Sequence, residues 1–207
     1  TIDDAVALAK LYIKFNKPQK VQKILNKIVS DILPGDSPDS MLGSIRNIIL
    51  AEIYLENEEY DKVLDSISII EKKIEDEGLG SFINRKDKIL AQYFEKKKNY
   101  KNALKYYQSS MQFNNIQEKV CIYHTAIGRC YRHLQKYKKS VENLLAMITL
   151  NPHHPKIHYE LALSYNELKN SDKALEHIQV AVDIWKDADE SFSLAQDAKN
   201  KLEEWNK

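Results

Sequence analysis

Three groups of side chains have types and spacings that could do chemistry. His153 and His154 precede Pro155, and His158 follows within one helical turn. Imidazoles this close could ligate a metal. No clear fourth ligand accompanies them, so they read as structural or surface groups. Cys121 and Cys130 stand nine residues apart in what reads as one helix. That places them about 13 Å apart along the axis, beyond the reach of a disulfide. They read as small buried apolar side chains of a protein kept in a reducing, cytoplasmic compartment.

The third group is a block of positive charge. The 207-residue chain has 31 Lys+Arg and 30 Asp+Glu, a net charge of +1. The total hides its distribution. Residues 1–83 carry −5, residues 84–139 carry +11 and residues 140–207 carry −5. Such a block could contact phosphates, with Tyr or Phe stacking bases, which makes nucleic-acid or other polyanion binding the alternative function. The acidic flanks and the packing positions of the tyrosines argue against a dedicated nucleic-acid binder. A plainer reading puts Lys96-Lys97-Lys98 and Lys136, Lys138 and Lys139 at exposed turns between helices. No phosphate-binding glycine loop, nucleophile elbow or paired-cysteine zinc pattern occurs. Catalytic residues, metals and cofactors are therefore not expected.

Composition narrows the elements that position these groups. Apolar residues make up 43% of the chain and charged residues 29%, a globular balance. Only 5 Gly and 5 Pro occur, too few for a turn-rich β fold. No apolar run is long enough to span a membrane, and no basic-then-apolar opening suggests a signal peptide. The chain begins with Thr1 rather than Met and reads as a segment of a longer protein.

The chain is internally repetitive. Leu161-Ala162, Tyr165, Ala174-Leu175, Ile178 and Ala181 echo Ile127-Gly128, Tyr131, Ser140-Val141, Leu144 and Met147. The echo continues at Leu90-Ala91, Phe94, Ala103-Leu104 and Tyr107, then at Leu50-Ala51, Tyr54, Val63-Leu64 and Ile67. It is weakest at Leu8-Ala9, Tyr12, Val21 and Leu25. The anchors Val21, Val63, Ala103, Ser140 and Ala174 are spaced 42, 40, 37 and 34 residues apart. Within each unit the apolar residues fall at three- and four-residue intervals on two successive stretches, which predicts two amphipathic helices. Thr1 with Asp4 resembles a capping arrangement for the first helix. Leu33 to Pro38 is the Pro/Gly-rich stretch and reads as a tight inter-repeat turn.

On these residues, and above all on Gly128, Tyr131, Tyr137 and Asn151-Pro152, the chain resembles the tetratricopeptide repeat (TPR) family. The likeness covers residues 2–184 and weakens toward the N-terminus. His124 and His158 stand where the family has an early Trp. The resemblance implies one all-α domain over 1–207, a right-handed superhelical solenoid of antiparallel helix pairs. Its repeats would span about 2–35, 40–77, 81–114, 118–152 and 155–186, with a capping helix over about 188–206.

The family binds peptides along a concave groove lined by the first helix of each unit. That implies a non-catalytic interaction module, a scaffold or regulatory segment of a larger protein. Projection gives Ile48, Ile49 and Glu52 in the second unit and Arg85, Lys88, Gln92 and Lys96 in the third. It gives Thr125, Arg129, Arg132 and His133 in the fourth, then Tyr159, Leu163 and Asn166 in the fifth. A basic groove centre beside an apolar patch would suit an acidic peptide with an apolar anchor. The Lys/Asn/Asn/Lys/Arg clamp of the family's chaperone-tail binders is not present in full, which disfavours that partner. Trp205 is a candidate anchor for homodimer formation through the last helix.

Overall fold

The computed structural model describes residues 8, 11, 18–27, 41–77, 83–111 and 117–206. The repeated apolar spacing folds as helices, and the described residues contain no strand. They fall into two compact units, residues 1–96 and 97–207. The first holds α1 (Pro18–Lys27), α2 (Met41–Glu56), α3 (Tyr60–Glu77) and α4 (Ile83–Lys96). The second holds α5 (Tyr100–Met111), α6 (Gln117–His133), α7 (Tyr137–Ile148), α8 (Pro155–Glu167), α9 (Ser171–Ile184) and α10 (Ser193–Trp205). From α2 to α4 in the first unit and from α5 to α10 in the second, successive helices pack as neighbours, the all-α helical-repeat architecture the sequence predicts. The expected cap at Thr1 and Asp4, and the turn from Leu33 to Pro38, lie outside the described residues. Among the described residues no helix is long and apolar enough to cross a membrane.

Four turns between successive helices share one backbone state. Glu58, Lys98, Gln135 and Lys169 adopt left-handed backbone, with φ of 60°, 56°, 58° and 60°. In three of these turns the next backbone N–H bonds back five residues, Glu59 to Tyr54, Lys136 to Tyr131 and Asn170 to Tyr165, at 2.9–3.0 Å. This is the Schellman closure, which satisfies helix-end carbonyls. It normally takes glycine, because a side chain strains that backbone. The next helix is then capped in two cases by asparagine, Asn99 Oδ1 accepting from the Asn102 N–H and Asn170 Oδ1 from Lys173.

The small residues lie where helices touch. A Cβ added to Gly128 would lie 2.6–2.9 Å from Leu144 side-chain carbons, so α6 and α7 approach more closely than alanine permits. Ser140 Oγ donates to the Gly128 carbonyl at 2.7 Å and sits 2.8 Å from Ser164 Oγ, tying α7 to both α6 and α8. Around this seam Cys121, Leu144, Ile157, Leu161 and Tyr165 form one buried cluster. A second one, with Tyr159, Ala162, Ile178, Trp185 and Ala195, seats α10. Both cysteines are buried thiols on α6.

The last helix departs from expectation. It begins at Ser193, not Ala188. Asp189 accepts the Ser191 N–H at its side chain (2.7 Å) and the Phe192 N–H at its carbonyl (2.8 Å). An aspartate that offers the backbone such a turn competes with the helix.

Candidate functional site

In the second unit, the inner faces of α6 and α8 meet α10 around a cleft of about 370 Å³. Arg132 comes from α6, and Tyr159, Leu163, Asn166 and Glu167 come from α8. Asp197, Lys201, Glu204 and Trp205 come from α10. Four of the groove residues expected from sequence, Arg132, Tyr159, Leu163 and Asn166, are thus brought together. The α10 wall was not foreseen.

The expected basic centre is answered from within. Glu160, only 3% exposed, accepts from Arg132 Nε at 3.1 Å. The Arg132 terminal nitrogen lies at the same distance, and that of Arg129 at 3.6 Å. Buried carboxylates need such partners, since desolvating an unpaired charge is costly. Glu160 points from α8 toward the preceding repeat. It sits one position from the groove face that includes Tyr159, so projecting the groove positions alone passed over it. Tyr159, expected as an open contact, is buried and donates to Asp197 on α10. Burial and the Asp197 carboxylate hold its phenol protonated far above the usual range. Lys201 Nζ lies 3.7 Å from the same carboxylate.

The remaining predicted positions divide between packing and surface. Thr125 is buried, its hydroxyl donating to the Cys121 carbonyl at 2.7 Å. His133 is exposed and stacks on Tyr100, with ring centroids 4.0 Å apart. In the first unit Ile48 and Ile49 are fully buried, which corrects the expected apolar groove patch. Helix α2 (MLGSIRNIILAEIYLE) is apolar nearly all round, so projection could not tell its core face from an open one. Glu52 is buried with Arg85 3.5 Å away. Lys96 Nζ lies 3.9 Å from Glu58. Lys88 and Gln92 are half-buried on α4.

The histidines also take structural places. His124 Nδ1 donates to Asn143 Oδ1 at 2.6 Å, and Asn143 Nδ2 donates to the His124 carbonyl at 2.7 Å. One repeat later His158 Nε2 donates to the Pro152 carbonyl (2.9 Å), and its Nδ1 faces His177 Nδ1 at 3.1 Å. His177 stands 34 residues after Asn143, so one seat holds a polar pair in both repeats. Among the described residues no cluster of three or more ligating side chains could hold a metal. Trp205, expected as an exposed anchor for self-association, packs half-buried against both core clusters.

The family model described as tetratricopeptide repeat matches residues 123–154. No curated protein matches the chain in sequence. Solved structures match nearly its full length. The crystal structure of YrrB, a TPR protein with an unusual peptide-binding site, superposes with a TM-score of 0.59 at 19% identity, covering 95% of this chain and 90% of that one. A Podosopora anserina protein of nearly identical TPR-like repeats gives 0.68 at 15% identity, covering 92% and 97%. MamA from MSR-1 gives 0.57 at 14% identity, covering 91% and 98%. Residues 123–154 thus match the tetratricopeptide-repeat model, and the chain as a whole has the fold of tetratricopeptide-repeat structures.

Proposed function

We propose that the chain is a non-catalytic protein-interaction module, and that the cleft between α6, α8 and α10 holds an extended segment of its partner. The observation that carries this reading is the convergence of Leu163, Asn166 and Trp205, all half-buried, on one cleft. Leu163 and Trp205 offer an apolar seat for a side chain. The Asn166 amide can donate to and accept from a peptide backbone. The peptide-binding site of the structurally similar YrrB supports the class of ligand. Glu160 already meets the charge of Arg129 and Arg132, so apolar and backbone contacts dominate here, and an acidic partner gains little at these arginines.

The test is selection of binding peptides from a random library against the whole chain, followed by titration into variants. Asn166→Ala and Leu163→Ala should each weaken binding about tenfold. Circular dichroism would confirm that both variants remain folded. Peptides that bind the variants as tightly as the native chain would remove the cleft as the site.

A further inference from the structure

The positive charge of the central block stands mainly away from the cleft. In the second unit exposed lysines, of that block and beyond it, gather on turns that open helices. The turn before α5 carries Lys97, Lys98 and Lys101. The turn before α7 carries Lys136, Lys138 and Lys139, and the turn before α9 carries Lys169 and Lys173. All eight lysines are exposed. The single carboxylate within residues 97–102, 134–139 and 168–173 is Asp172.

Side-chain contacts join these turns into one edge. Tyr100, which opens α5, stacks on His133 at the end of α6 with rings 5° from parallel. Tyr137, which opens α7, sits beside the Glu167 carboxylate at the end of α8. Each pair packs the start of one second helix against the turn of the next repeat. The three lysine groups therefore follow one another along a single side.

We propose that this lysine edge is a second interaction surface, separate from the cleft, and that it docks an Asp/Glu-rich segment of a partner protein. Charge complementarity carries the choice. Ammonium groups on flexible stems suit clustered carboxylates, and no arginine stands in these turns to read bases by paired hydrogen bonds. Tyr100 already gives one ring face to His133, which leaves less of it for stacking a base. The leucines of the turns, Leu134 and Leu168, are half-buried, so no apolar side chain there is placed to enter a lipid surface.

The experiment measures binding of a fluorescent glutamate-rich peptide to the whole chain at physiological ionic strength. A single-stranded oligonucleotide of matched charge and vesicles with and without phosphatidylserine run alongside. Lys136→Glu with Lys138→Glu and Lys139→Glu should weaken the peptide about tenfold or more. The same three positions changed to Gln should weaken it less, with circular dichroism unchanged. A control with equal charge change at exposed lysines outside the turns, Lys27→Glu, Lys72→Glu and Lys186→Glu, should change affinity less than about twofold. Equal losses in both triples would overturn the edge, because the attraction would then follow net charge alone. Tighter binding of the oligonucleotide or of the anionic vesicles than of the peptide would overturn the acidic-protein assignment.

Discussion

The cleft and the lysine edge of the second unit both hold basic side chains and use them in opposite ways. In the cleft, Arg132 and Arg129 converge on a carboxylate that is itself buried. Their charge is spent on the fold and holds α6 to α8. On the edge, exposed lysines stand on the turns with one carboxylate among them, and Lys173 lies over the Tyr165 ring. Their charge adds little to stability, because exposed ammonium groups interact weakly across solvent. A cation beside the cleft of this protein is thus a structural element, and one on the edge is, as proposed above, a contact for a partner. Local charge density alone does not distinguish the two; the burial of the opposing group does.

That contrast can be broken most sharply at Glu160. Glu160→Ala should lower unfolding free energy by about 3 kcal/mol, since it leaves two cations facing a buried site. The urea midpoint measures it, and Glu160→Gln should recover part of the loss through its retained oxygen. A loss no larger than that of an exposed glutamate would erase the distinction.

Acidification tests the same division by another route. The edge lysines are exposed, whereas His177 lies inside the fold. Burial first, then the charge of His158, holds the His177 imidazole below its usual value of 6.5, with Lys173 adding to the depression and Glu176 opposing it. His154 is depressed in the same direction by burial and by Lys156. The unfolded chain then binds more protons than the folded one below about pH 6.5, so stability falls as pH drops through that window. Thermal melts from pH 7.5 to 5 should show this loss. His177→Asn, which copies the Asn143 seat of the preceding repeat, should flatten it. A melting temperature with the same pH slope in the variant would assign the acid sensitivity elsewhere.

The smallest expected effect lies on the edge itself. Gln135 holds left-handed backbone at 58° without the freedom of glycine. Gln135→Gly should raise stability by roughly 0.5–1 kcal/mol, the strain relieved less the entropy glycine loses. It removes no charge, so binding of the glutamate-rich peptide should not change. A stabilised variant with altered peptide affinity would mean that turn shape, and not only lysine charge, governs the edge.

Much of this was legible from residue types. The repeat spacing located the helix pairs from α2 to α9, because burying one face of a helix imposes three- and four-residue periodicity whatever the neighbours are. Gly128 and Ser140 marked the close approach of α6 and α7, since only small side chains fit there. His158 read correctly as a structural group, although nothing local paired it with His177. The start of α10 was misplaced because the turn at Asp189 depends on a side chain choosing the backbone over solvent. Ile48 and Ile49 were misassigned because α2 has too little polar surface to orient it.

By itself, then, the sequence determined the helices, their pairing in repeats and the positions of the shared turns, all set by short-range periodicity and backbone preference. Tertiary structure alone decided which charges remain available. Glu160 meets Arg132 only after α8 packs beside α6, bringing together groups 28 residues apart. The lysines of three separate turns become one edge only when Tyr100 reaches His133 and Tyr137 reaches Glu167. Electrostatic energy depends on distance and burial, and neither is a property of position along the chain.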